Sequence, residues 1–199
     1  MSVSLWSRFG SNARLQSPVA LYVAALLGSS PLDFPGGRTL TQESPVRVTR
    51  TSDRAIEVTG TFAVPRRVLF DAITQPEHLT HWMSAGGMTL AEAHVDPRAD
   101  GSFRYVFKRP SGATIEVRGA YRSFDPPVGF AYLESYDFSP LQIEVTTALE
   151  EVGKETRFTQ TLRYFSTRER DEDFDGVATS SREAYAKLAR YLETRKPLR

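Results

Sequence analysis

The chain contains no cysteine, which removes disulfide frameworks, thiolate nucleophiles and cysteine-based zinc or iron–sulfur centres at the outset. Compartment stays open on this ground, since a cysteine-free protein tolerates reducing and oxidising surroundings alike. Neither charge is in excess. Lys and Arg number 25 against 24 Asp and Glu, a formal net of +1, so the totals give no reason to expect a nucleic acid or an acidic membrane as partner. Long apolar runs are missing as well: Val19–Leu27 is an uninterrupted apolar stretch of nine residues, against the roughly 20 that a membrane-spanning helix needs. Histidine is scarce, at three residues. The chain carries no P-loop, no dinucleotide fingerprint and no nucleophile elbow, so no cofactor is expected.

What is present is a chain of 199 residues, enough for one domain of ordinary size and a tail. The tail is read as residues 1–48, a weakly structured extension. It has no acidic residue before Asp33, carries Arg8 and Arg14 ahead of the apolar run, and then breaks at GSSP and PGG. A weak export signal over residues 1–32 is the alternative, without a clear cleavage site. A start at Val46 or Val48 is another. The expected location is cytoplasmic.

From Ala55 the pattern changes to period two. Ile56, Val58 and Phe62 alternate with Glu57, Thr59 and Thr61, as in a half-buried strand. Pro65 opens a short helix to Ile73, with Val68, Leu69, Ala72 and Ile73 on one stripe. Thr74 and Glu77 form a capping-box pattern for a second short helix, in which Leu79, Trp82 and Met83 face the core and Gly86-Gly87 ends it. Six alternating segments follow: 88–95, 102–108, 114–124, 128–138, 141–151 and 155–164. They are divided by PRADG, RPSG, DPP, SP and EEVGKE, connectors suited to antiparallel neighbours. Beyond Thr167 the period is helical again to about residue 194, with Phe174, Val177, Ser181, Tyr185, Leu188 and Leu192 on one side. The expected class is α+β: a seven-stranded antiparallel sheet wrapped around one long C-terminal helix, with two short helices between strands 1 and 2.

Three motifs in this order carry a resemblance. They are FAVPRRVLFDAITQPEHLTHWM, DPRADGSFRY and GAYRSFDPP. Together they resemble the SRPBCC (START/Bet v 1-like) superfamily, in the branch named after the activator of heat-shock-protein-90 ATPase. The resemblance covers about residues 55–194. It implies a helix-grip domain whose sheet and final helix enclose a space for a ligand; it brings no shared catalytic motif. Where many relatives have Gly-Trp in the final helix this chain has Ser180-Ser181, and where they have two large rings after the second short helix it has Trp82-Met83. A cavity of altered shape follows from both exchanges.

The candidate chemistry lies on the inward faces. Segment 128–138 presents Val128, Phe130, Tyr132, Glu134, Tyr136 and Phe138 on one side, a carboxyl among aromatic rings. Facing positions elsewhere include Phe103, Tyr105, Tyr121, Ile143 and Gln160. With Trp82, Met83, Ser181 and Tyr185 these make the expected ligand-binding set, suited to a small apolar or amphipathic ligand with a few polar handles. Ordinary core packing is the competing reading for each of them. Glu134 is the candidate acid/base if the domain is instead a polyketide cyclase- or dehydratase-like enzyme, with Tyr132, Tyr136 or Tyr121 orienting the substrate. A chaperone- or regulator-binding module, or a homodimer, is the remaining alternative. His78, His81 and His94 are read as bystanders, because His-x-x-His lacks the spacing and glutamate of a metalloprotease helix. No metal is expected. Arg104, Arg118 and Arg122 alternate against the aromatics, so they belong with Glu116 and Glu144 to ion pairs on the outer face.

Overall fold

The computed structural model describes residues 44–195. Most of the stretch read as an extension, residues 1–43, lies outside the described residues. Residues 46–48, read as its end, belong to the sheet. Val46–Ser52 forms strand β1, paired antiparallel with β2 (Ala55–Phe62). Its signal is short in sequence because only Val46 and Val48 are buried before the strand turns polar. The sheet therefore has eight strands, not seven.

Two short helices follow, α1 (Arg66–Thr74) and α2 (Pro76–Trp82). Six strands come next: β3 (Thr89–Val95), β4 (Ser102–Lys108), β5 (Thr114–Asp125), β6 (Gly129–Tyr136), β7 (Ser139–Val152) and β8 (Glu155–Arg163). The chain then forms α3 (Thr167–Glu193). The sheet order is β1-β2-β8-β7-β6-β5-β4-β3, antiparallel throughout. The two short helices carry the chain from β2 to the far edge at β3. From there a meander of hairpins returns until β8 closes against β2.

Period two does what it is expected to do in the central strands. Along β7, Leu141, Ile143, Val145, Thr147 and Leu149 are buried and the residues between them are exposed. The buried set faces α3, whose Val177, Tyr185, Leu188 and Leu192 complete the core. The long helix starts on a full capping box: Glu169 N–H donates to Ser166 Oγ at 3.2 Å, and Ser166 N–H donates to Glu169 Oε2 at 2.8 Å.

Three local expectations are corrected. Thr74 does not cap α2. It is the last residue of α1, is buried, and its hydroxyl donates back to the Phe70 carbonyl at 2.7 Å. A β-branched hydroxyl that reaches the carbonyl four residues earlier satisfies itself inside its own helix and is not free to cap the next one. Gln75 takes the N-cap position, with Pro76 opening α2. The double glycine also does not end α2, which stops at Trp82. Gly86 and Gly87, with φ of 52° and 76°, instead make the tight turn into β3. Val128 and Phe138 bracket β6 and are exposed at 43% and 36%, so the inward face of that strand runs only from Phe130 to Tyr136.

Candidate functional site

Between the sheet and α3 the structure leaves a cavity of about 200 Å³. Its floor is the inward face of β4 to β8, its roof is the middle of α3, and one end is closed by α2 and the segment after it. β6 contributes most of the chemistry. Phe130, Tyr132, Glu134 and Tyr136 all line the space, as the alternation predicts, and Glu134 keeps partial accessibility while facing it. Tyr105 from β4, Tyr121 from β5 and Gln160 from β8 join them. From the helical side come Trp82, Met83, Ser181 and Tyr185.

Two residues of the expected set stand elsewhere. Phe103 packs over Gly119 on β5, where an added Cβ would meet its ring at 2.1 Å, and its other neighbours are Tyr105, Tyr121 and Tyr132. It buttresses the floor from the side. Ile143 lies directly across the ladder from Glu134 but is fully buried in the core and does not reach the cavity. Period two assigns a residue to a face and says nothing of where along that face the void lies. Conversely, Ser84, Ala85 and Ala184 line the space without belonging to the expected set, as does Ser180 of the Ser180-Ser181 pair. They are small residues. Ser84 and Ala85 sit in an aperiodic segment, which carries no pattern; Ala184 stands three residues from Ser181 and four from Ser180, a helical spacing that makes it legible.

The polar groups are tightly engaged. Tyr136 O–H donates to Glu134 Oε1, and the Tyr132 hydroxyl lies near the same carboxyl. Tyr185 O–H donates to Gln160 Oε1 at 3.1 Å, while Gln160 Nε2 donates to Thr147 Oγ1 at 3.2 Å. Ser180 O–H donates to the Gly176 carbonyl at 2.9 Å. Behind this layer, Tyr164 O–H donates to the fully buried Asp173 at 2.6 Å. Burial pushes the Glu134 carboxyl up to about 7. The hydrogen bond from Tyr136 opposes that shift, the negative charge of Asp173 adds to it, and the nearby Tyr132 hydroxyl opposes it again. Burial likewise raises the phenols, Tyr121 to about 12 and Tyr105, Tyr132 and Tyr136 well above the usual value. Glu134 is thus a cavity-facing group poised to change charge near neutrality, among tyrosines that stay protonated there.

Trp82 closes one end in a fixed pose. Its indole N–H donates to the Ala72 carbonyl at 2.9 Å, and its ring stacks on Tyr185 at 5.8 Å. The segment after it is clasped to α3. Lys187 Nζ donates to the Ser84 carbonyl and to Glu183 Oε1, each at 2.8 Å, and Gly86 N–H donates to Glu183 Oε2 at 2.9 Å.

The histidines of α2 turn to the last turns of α3. His78 Nδ1 and Tyr191 Oη share a hydrogen bond of 2.7 Å, and His81 stacks on the Tyr191 ring at 4.9 Å. Burial, then the charge of Arg195, lowers the His78 pKa. His94 is exposed on β3 beside Glu92. Among the described residues, no group of three or more His, Asp or Glu is arranged to hold a metal ion. Among them, also, no helix is long and apolar enough to cross a membrane.

Comparison with known proteins agrees with this architecture. A crystal structure of a Rhodobacter sphaeroides protein superposes with a TM-score of 0.72 at 27% identity, covering 75% of this chain and 99% of that one. A protein of Nitrosomonas europaea gives 0.65 at 17% identity, covering 74% and 100%. One of Mycobacterium smegmatis gives 0.65 at 22%, covering 74% and 97%. The latter two, at such identities, speak to the fold alone. A comparison with curated proteins found no significant match. The profile of the family described as activator of Hsp90 ATPase homolog 1-like protein matches residues 63–193, from the start of α1 to the end of α3. With that match running through every element that walls the cavity, the chain belongs to the activator of Hsp90 ATPase homolog 1-like family, on the SRPBCC fold its motifs resemble.

Proposed function

We propose that this domain binds a small hydrophobic or amphipathic molecule between the sheet and α3. The observation that carries the reading is the cavity itself: about 200 Å³, walled by tyrosine, phenylalanine and tryptophan rings, with one carboxyl, one amide and three serines as polar handles. A well-packed core does not leave such a space. An apolar cavity of about 150 Å³ is enough to take up benzene, so a single ring with a short tail fits the volume. Native mass spectrometry and thermal-shift screening against aromatics, lipids and polyketide-like compounds test it. The expected result is a ligand-dependent rise in Tm that is abolished in Ser181→Trp, which fills the roof. A screen in which no compound shifts Tm, together with a wild-type protein as compact as the filled variant, would contradict it.

A second reading has a specific observation in its favour. Glu134 faces the cavity with its carboxyl raised to about 7 and with the Tyr136 phenol bonded to it, which suits a general acid/base acting on a bound substrate, as in a cyclase or dehydratase. Turnover of a polyketide-like substrate lost in Glu134→Gln, with binding retained, would establish catalysis over carriage. Unchanged substrate after prolonged incubation removes it.

A further inference from the structure

We infer that the occupant of this cavity is a compact amphipathic amine, its ammonium group seated on Glu134 and its apolar body against the aromatic wall. This rests on the ligand-binding reading above and names the ligand's polar end. Two observations carry it, the spare acceptor capacity of one carboxyl and a count of charges.

Several polar groups around the cavity are already engaged. The phenol of Tyr136 is spent on Glu134, Tyr185 on Gln160, one Gln160 amide N–H on Thr147 and the Ser180 hydroxyl on Gly176. On Glu134 itself acceptor capacity is left over. A carboxylate offers about four lone-pair sites and one phenol occupies one of them. A carboxylate with lone pairs to spare is complementary to a ligand group that donates several hydrogen bonds, as an ammonium does.

The charges point the same way. Among the described residues, Lys, Arg and His are absent from the cavity walls, and Glu134 is the one carboxyl in them. Lys187, at the clasp beside Ser84, is held by Glu183 and the Ser84 carbonyl. A second carboxylate, Asp173, lies close enough behind the wall to act on Glu134. An anionic ligand such as a fatty acid would bring a third negative charge into this field with no cation to meet it. A neutral ligand leaves the carboxyl protonated or unpaired. A cation pairs with it, and the faces of Trp82, Tyr132 and Tyr185 supply quadrupole attraction to the same charge.

Binding of a cation to the ionised carboxylate requires Glu134 to lose its proton, so affinity rises with pH through the neutral range. The other titratable groups facing Glu134 are Tyr132 and Tyr136 on its own strand, Tyr105 and Tyr121 on the neighbouring strands, Tyr164 after β8, and Asp173 and Tyr185 on α3. The phenols among them are all pushed upward and stay neutral across this range.

The test is calorimetric titration of the full chain with three probes on one frame: 2-phenylethylamine, 2-phenylethanol and phenylacetate. Near pH 8 the amine is expected to bind at least about tenfold more tightly than the alcohol, with phenylacetate weakest. On moving to about pH 6 the amine's affinity falls roughly tenfold, while the alcohol's stays level. Glu134→Gln weakens the amine by about tenfold or more and leaves the alcohol within about twofold, which also reports that the variant is folded. Should that variant not fold, the wild-type pH profile, with the alcohol as reference, decides. Binding of the alcohol with an amine that is weaker, or is insensitive to both pH and Glu134→Gln, overturns the amine and leaves the cavity reading standing. If none of the three binds at millimolar concentration, both fall.

Discussion

The two faces of the sheet hold glutamates in opposite states. On the outer face Glu116 accepts from Arg104 at 2.6 Å and from Arg118, and Arg104 reaches Glu92 at 2.7 Å. Partial desolvation acts upward on the Glu116 carboxyl, but the hydrogen bonds and charges of the two arginines outweigh it and hold it below the usual range. The hydrogen bond from Arg104 lowers Glu92 likewise. On the inner face Glu134 has only phenols beside it, and burial raises it to about 7. The same residue type is held charged where it has cations beside it and resists ionisation where burial dominates. The outer network stabilises a solvated surface; the inner carboxyl costs stability near neutrality, because ionising it places a charge in a poorly solvated space.

The largest effect that separates the faces comes from neighbouring residues of β8. Phe158 is fully buried against Phe62 and Tyr185, so Phe158→Ala is expected to lower stability by about 3 to 5 kcal/mol in urea denaturation. Next comes Glu134→Gln, which removes a charge instead of a contact. A carboxyl whose folded pKa lies above its unfolded value contributes stability that is present at low pH and lost as pH rises through about 7. The variant should therefore be more stable than the wild type near pH 8 by on the order of 2 kcal/mol, with the advantage vanishing near pH 4.5. A variant no more stable at pH 8 would mean that Glu134 is ionised without penalty, and the contrast between the faces would collapse. Glu116→Gln on the outer face has the opposite sign, a small loss that shrinks with added salt. Smallest is Arg157→Ala, one residue from Phe158 but paired with Glu150 in solvent, which should change stability by no more than about 0.5 kcal/mol.

The same asymmetry governs what could be read from the sequence. Alternation placed Tyr132, Glu134 and Tyr136 inward and Arg104 and Arg118 outward, because facing is a local property of a strand. Arg122 and Glu144 were grouped with those ion pairs, yet the ion pairs among the described residues do not include them, since pairing depends on the register of the neighbouring strand. β1 escaped notice because only two of its residues are buried. Thr74 matched a capping box in letters, but its burial and its bond to Phe70 are set by how α1 packs. Phe103 and Ile143 were given the correct face and the wrong depth: the void is bounded by Trp82, Ser84 and Ser181 from other elements, and which strand positions lie beneath them is decided by helix placement.

The central claim is that the inner face is a ligand site and the outer face is not. Chemical-shift mapping of isotope-labelled protein with 2-phenylethylamine and 2-phenylethanol addresses it directly. The account predicts saturable shifts at Trp82, Tyr132, Glu134 and Tyr185, including one of the two indole N–H signals, with Arg104, Glu116 and Arg118 unmoved. Non-saturating shifts, or shifts confined to the outer arginines and glutamates, would contradict it.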